Sequence, residues 1–263
     1  MSTWKLSYIG KKPSLKSPIL IEGLPGIGNV GKIALDFVID KLGARKIAEF
    51  QSYSFPHSVF VNEDNLVELP TIEVYAKQFK NGTHDMLLLA GDVQPLDEQS
   101  CYAFSETVLD MAQEMGCNEI VTLGGIALKQ IPKKPQVFLT GNMKDIVKEY
   151  QRSTKISNDL YGVVGPIVGV SGVLLGLAAR RQIKAVSLLA ETYGHPMYLG
   201  IAGARELLNV LNTKLKLKLN MKQLDQELIA LEQDLAQRPE FAADFARRSL
   251  SKLRKGKDTS YIG

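Results

Sequence analysis

Residues 18–42 read PILIEGLPGIGNVGKIALDFVIDKL, and the order of their patterns decides the fold class. Pro18 to Glu22 is a short apolar run, as expected of a strand buried on both faces. From Ile27 to Leu42 the apolar residues recur at helical spacing, with Val30, Ile33, Ala34, Phe37, Val38 and Leu42 on one face. A glycine-rich turn separates the two. A buried strand, a tight turn and a helix form the first half of a strand–helix–strand unit.

The alternation continues outward. Lys46–Tyr53, Ser58–Val61 and Thr71–Phe79 read as strands, and Asn81-Gly82 is a hairpin signal leading into the buried strand Met86–Ala90. Glu98–Met115 reads as a helix. Glu119–Leu123 and Gln136–Thr140 read as strands around the proline-rich loop Ile131–Pro135, and Met143–Tyr150 as a short helix. Tyr161–Val164 reads as a strand, followed by a Gly165-Pro166 turn and a buried helix from about Ser171 to Arg181. Ala185–Glu191 is a strand and Ala204–Asn212 a helix. The expectation is an α/β core domain over residues 1–213, a three-layer arrangement with helices on both faces of a mixed sheet. That sheet should be largely parallel, with an antiparallel element at the hairpin.

Beyond this domain the pattern changes. Met221, Leu224, Leu228, Leu231 and Leu235 recur at steps of three and four, making an apolar seam along one helix. Pro239 ends it, and Phe241–Leu253 reads as a second helix. Two heptads are too few for an independent coiled coil, so this helical extension, residues 214–253, packs on the body or on a neighbouring subunit. Residues 254–263 form a flexible basic tail.

Composition narrows the class. At 263 residues, with 45% hydrophobic and 23% charged residues, the chain can bury a large core without staples. Its two cysteines, Cys101 and Cys117, fit neither a disulfide scaffold nor a metal set, so a reducing cytoplasm is expected and no metal. The N-terminus lacks the apolar run of a secretory signal. Lys plus Arg total 32 against 28 acidic residues, yet Arg247–Lys257 alone holds six basic residues and no acid. The body is near neutral, which argues against whole-surface nucleic-acid binding and places the basic character in the tail. Leu160–Ala179 has 20 residues without a charge, long enough to span a bilayer, but Pro166 and five glycines divide it into short core elements. No membrane association is expected.

Gly26-x-Gly28-x-x-Gly31 has dinucleotide-binding spacing, with Glu49 lying 18 residues further on, near where a ribose ligand would sit. Gly26 to Lys32 also approaches a phosphate-binding loop, but Ile33 stands where a hydroxyl must ligate magnesium. A third reading is a tight turn whose glycines serve backbone geometry alone. Other expected strand ends also collect glycine and polar residues, so Gly26, Gly28, Gly31, Asp92, Gly124, Gly125, Ser171 and Glu191 form a candidate crevice. Gly169-Val170-Ser171-Gly172-Val173 is an incomplete nucleophile elbow, and His195 is the only histidine downstream. No catalytic group and no cofactor is assigned. A nucleotide- or nucleoside-binding enzyme or sensor, and an oligomeric scaffold for another complex, are the alternative classes.

Five stretches in order, GLPGIGNVG (23–31), GDVQP (91–95), TLGG (122–125), YGVVGPIVGVSGVLLGLAA (161–179) and ETYGHP (191–196), resemble the proteasome assembly chaperone family in its archaeal and bacterial form. The resemblance spans about residues 17–235. It implies a three-layer α/β fold similar to nucleoside phosphorylases without their catalytic groups. It also implies homo-oligomers and, as partner, the α subunits of the proteasome core particle. Family members dock there through a C-terminal hydrophobic–Tyr–any-residue tail. Here the chain ends Ser260-Tyr261-Ile262-Gly263, so the tyrosine is third from the end. Tyr261, Ile262 and Gly263 are the candidate docking residues, and Met221, Leu224, Leu228, Leu231 and Leu235 the candidate oligomer or packing seam.

Overall fold

A computed structural model describes residues 4–62, 64–80, 84–154, 156 and 165–237, with side chains to 233. The strands are β1 (Trp4–Tyr8), β2 (Ile19–Gly23), β3 (Arg45–Ser52), β4 (Phe60–Val61), β5 (Val67–Glu68), β6 (Ile72–Lys77), β7 (Met86–Gly91), β8 (Glu119–Leu128), β9 (Val137–Gly141) and β10 (Lys184–Tyr193). The helices are α1 (Val30–Leu42), α2 (Glu98–Glu114), α3 (Lys144–Ser153), α4 (Val170–Arg180), α5 (Ile201–Leu215) and α6 (Met221–Gln237). The Asn81-Gly82 turn, the expected strand Tyr161–Val164, the second extension helix Phe241–Leu253 and the tail 254–263 lie outside the described residues.

Eight strands make one sheet in the order β1-β3-β6-β7-β2-β8-β10-β9, and β4 pairs with β5 in a separate hairpin. Four adjacent strands, β7, β2, β8 and β10, run parallel. Strands on both sides of them run antiparallel. The sheet is mixed as expected, but antiparallel pairing reaches well beyond the one hairpin that signalled it. Of these antiparallel pairs only β6 and β7 are joined by a short link of the kind that favours antiparallel neighbours; β3 and β6 flank the β4–β5 hairpin, and β9 and β10 flank α3 and α4, so these pairs form at long range. The 10-residue β8 and β10 extend past their expected ends at Leu123 and Glu191.

Alternation along β2 splits the core. Ile19 and Ile21 face a cluster that holds α1 and α5, with Leu88, Val121 and Val186. Leu20 and Leu24 face the other cluster, with α2, α4, Leu87 and Ile120. β1 is a five-residue edge strand whose apolar Trp4, Leu6 and Tyr8 alternate with Lys5 and Ser7, too short a pattern to stand out in the sequence. Trp4 anchors it, its ring centroid 4.8 Å from that of Phe104 on α2. On α6, Leu224 and Leu228 are buried in the α1–α5 cluster, and Met221 and Leu231 pack partly against it. The seam thus meets the body of its own chain; the side chain of Leu235 lies outside the described residues. Asp225 accepts from Arg205 at 2.6 Å, and Glu227 accepts from Lys41 at 2.5 Å, which pins α6 to α5 and α1.

Candidate functional site

The carboxyl ends of β2, β7, β8 and β10 carry the glycine-rich motifs, so the sheet brings together stretches far apart in sequence. They surround a crevice of about 630 Å³. Its walls come from the β2–α1 turn, the residues before α2, the end of β8 and the residues leading into α4. Ligand crevices of open α/β sheets form at such strand ends.

The glycines here serve backbone geometry. Gly28 has φ of +60°, and the following Asn29 also takes a left-handed conformation, which turns the chain into α1. A Cβ on Gly31 would stand 2.3 Å from the Leu123 carbonyl oxygen, so this glycine lets α1 lie directly on β8. Lys32 does not reach toward a phosphate. It is buried, its Nζ 2.7 Å from Asp36 Oδ2 one turn along the same helix. Glu49 is also misplaced for a ribose. It sits on β3, with β6 and β7 between that strand and β2, and pairs with Lys46 at 3.1 Å. Both nucleotide templates fail on geometry, which leaves the tight-turn reading.

Of the eight candidate crevice residues, Gly26, Gly31, Gly124, Gly125 and Ser171 line it. Gly28 packs against Thr192 beside it. Asp92 and Glu191 do not line it. Asp92 accepts from the Thr71 amide at 3.1 Å and hydroxyl at 2.8 Å, tying β7 to β6. Glu191 accepts from the Gln136 amide at 2.9 Å, holding the approach to β9. Polar residues at strand ends were read as site residues, whereas these two fasten neighbouring strands.

The residue that sequence reading passed over is Glu22. It closes β2 and is fully buried. Its Oε1 accepts from the Leu24 amide and its Oε2 from the Ser171 hydroxyl, each at 2.9 Å. Burial pushes its carboxyl up to about 7, against the pull of those two donors. On the neighbouring strands the register places Thr122 and then Ser187 beside it. Both are buried hydroxyls without a protein hydrogen-bond partner among the described residues. A polar row thus runs beneath α4. The signal was available: Glu22 is the one charge in an otherwise apolar strand.

Ser171 is no activated nucleophile of the histidine type. His195 stacks on Tyr193 and accepts from the Met197 amide at 3.2 Å. Cys101 lines the crevice, but burial raises its thiol above the ordinary value, which disfavours the thiolate. Gln94 closes one wall. Its amide donates to the Pro25 carbonyl at 2.7 Å, and its oxygen accepts from the Val170 amide at 3.3 Å. The β2–α1 turn and the start of α4 are thereby held as one unit.

Residues 20–238 match the PAC2 family. The chain belongs to the PAC2 family. It superposes on Pyrococcus furiosus PbaB, an archaeal proteasome activator, with a TM-score of 0.81 and 30% identity, over 90% of this chain and 99% of that one. Pyrococcus furiosus PbaA, an archaeal homolog of proteasome-assembly chaperone, gives a TM-score of 0.71 at 25% identity, over 93% of this chain and all of the other. The uncharacterised Methanocaldococcus jannaschii protein MJ1210 is 26% identical over 249 residues, 95% of this chain and 93% of its own. The matched span, residues 20–238, includes the residues that build the crevice. Among the described residues of this PAC2 chain, no helix is long and apolar enough to cross a membrane.

Proposed function

We propose that this PAC2-family chain is a non-enzymatic assembly chaperone or activator that binds the α-ring of the proteasome core particle. It acts as a homo-oligomer in the cytoplasm. The observation that carries this reading is the likeness to the proteasome activator PbaB over nearly the whole of both chains. The turn geometry supports it, because Lys32 is committed to Asp36 and two of the motif glycines, Gly28 and Gly31, to close packing.

The oligomer has a physical argument of its own. The β4–β5 hairpin carries two residues per strand and leaves Val59, Val61, Leu66, Val67 and Leu69 exposed. An isolated two-stranded hairpin is marginal in water, and a clustered apolar surface of this kind marks an interface. Light scattering of the purified protein tests this, and a monomer refutes it.

In this reading Tyr261 and Ile262 fill apolar pockets between α subunits, and the Gly263 carboxylate meets a cation. One such tail contributes modest affinity after its ordering, so several act together on an oligomer. The deciding experiment is co-elution of the purified protein with an α-ring. Deleting Tyr261–Gly263 abolishes co-elution while leaving the oligomer intact. Exchanging the last residues to Ile-Tyr-Gly strengthens it. Unchanged binding after the deletion removes the tail from the mechanism.

A further inference from the structure

The mouth of the crevice joins apolar surface to negative charge. Ile27, Leu96, Tyr102 and Val168 line it and stand exposed. Its charged lining residues are Asp97 and Glu98, and no lysine or arginine lines it among the described residues. At two of the helix starts facing it a side chain already holds one backbone amide. Asp97 accepts from the Ser100 amide at 2.8 Å at the head of α2, and Gln94 accepts from the Val170 amide at the head of α4. An anionic ligand would meet like charge there. A cationic segment with apolar side chains would meet its complement.

The chain supplies such a segment from the right place. α6 starts beside Asn212, whose Oδ1 accepts from the Leu219 amide at 2.9 Å near the end of α5. It runs back along α5 until Glu232 lies near enough to Tyr198 to help raise that phenol, after burial. Tyr198 precedes α5, and the Gly200 amide at its head donates to the Gly28 carbonyl at 2.8 Å. Gly28 adjoins Ile27, which lines the crevice. The chain therefore leaves Gln237 at the end of the sheet where the crevice opens. Ten residues later begins Arg247–Lys257, RRSLSKLRKGK, with six bases, no acid, and leucines at 250 and 253. Ten extended residues span roughly 33 Å, ample for the distance across that end.

We propose that residues 247–257 dock in this crevice of their own chain, Leu250 and Leu253 against Leu96, Tyr102 and Val168, with the basic side chains beside Asp97 and Glu98. Docking tethers the tail tip close to the body and competes with its capture by a partner. The competition rests on the proteasome reading above; the docking does not.

The test uses the full-length protein with the photo-crosslinking residue benzoylphenylalanine in place of Leu250. On irradiation, the dominant cross-links should join that position to residues 94–102 and 165–173, within one copy when isotopically heavy and light chains are mixed. Their yield should fall roughly tenfold in Asp97→Asn/Glu98→Gln, a pair that keeps a helix-capping side chain at position 97, and likewise for the unaltered crevice in 1 M salt. Cross-links elsewhere, cross-links only between copies, or a yield indifferent to both charge and salt overturn the docking. The same double variant should bind the α-ring several-fold tighter, and unchanged binding overturns the competition. If crevice cross-links form but no α-ring binds, the proteasome reading fails and the docking stands. If the ring binds and the crevice stays unlabelled, the docking fails alone.

Discussion

Glu22→Gln should stabilise the protein at alkaline pH and leave it unchanged in acid. Glu22 is fully buried, and its carboxyl is raised from 4.5 to about 7 by that burial. The folded state thus holds this proton more tightly than the unfolded chain does. The stability gained from protonation is fully present below pH 4.5 and is lost as pH rises through 7. The gap is worth about 3 kcal/mol at roughly 1.4 kcal/mol per pH unit. Gln has the same shape and carries no charge. Its oxygen can accept from the Leu24 amide and its nitrogen can donate to the Ser171 hydroxyl, so both contacts survive.

Guanidinium unfolding of both proteins at intervals from pH 5 to pH 9 gives the difference in stability directly. It should be somewhat under about 1 kcal/mol at pH 5, where the unfolded carboxyl is already mostly ionised, and rise toward about 3 kcal/mol by pH 8.5, a melting-temperature gap of roughly 6–10 °C for a domain of this size. Ser171→Ala sharpens the test. It removes a donor to the ionised carboxylate, so the midpoint should move upward. A difference between Glu and Gln that is flat with pH refutes the reasoning, because it shows that Glu22 keeps the same proton in both states.

Leu228 is 2% exposed in the core seam of α6, so Leu228→Asp should lose several kcal/mol in a denaturant titration. Gly31→Ala places a Cβ 2.3 Å from the Leu123 oxygen; forcing α1 off β8 should cost about 1–3 kcal/mol, read as a lower unfolding midpoint. Lys32→Met removes the cation beside the buried Asp36 and should cost about 3–5 kcal/mol, and adding Asp36→Leu should restore most of it. A panel of nucleotides should leave the melting temperature unchanged; a concentration-dependent rise with any one of them reverses the reading of the turn.

The sequence made the α/β layering legible because buried strands and amphipathic helices differ in period. The crevice was legible because parallel strands place their carboxyl ends at one edge, so motifs more than a hundred residues apart converge. What failed did so for physical reasons. Strand order is set by long-range pairing, which no local pattern encodes, so Glu49 could match a spacing rule while sitting on a strand that β6 and β7 separate from β2. Edge strands need only one buried face, and β1 shows little apolar signal beyond Trp4 and Leu6. Asp92 and Glu191 share composition with ligand-binding residues, and only their hydrogen bonds reveal that they fasten strands. Glu22 was hidden by its place at the end of a run whose apolar character drew the attention.

The buried carboxyl and the crevice above it are linked through Ser171, which lines the crevice and donates to Glu22. Ionising Glu22 adds a negative charge behind a wall that already carries Asp97 and Glu98. A cationic segment docked at the mouth favours that ionised form, so docking should lower the Glu22 midpoint, and by linkage ionisation should tighten docking. Replacing Lys252, Arg254 and Lys255 with Gln leaves the described core untouched and removes half of the segment's six basic charges. The pH at which the stabilities of Glu22→Gln and its parent begin to diverge should then shift relative to the same comparison with the basic residues in place. Cross-linking from position 250 should also grow stronger between pH 6 and pH 8 in the parent and stay level in Glu22→Gln. Identical midpoints with and without the three basic residues, together with cross-linking that ignores pH in the parent, would uncouple the carboxyl from the crevice. Glu22 would then be a stability switch for the fold alone.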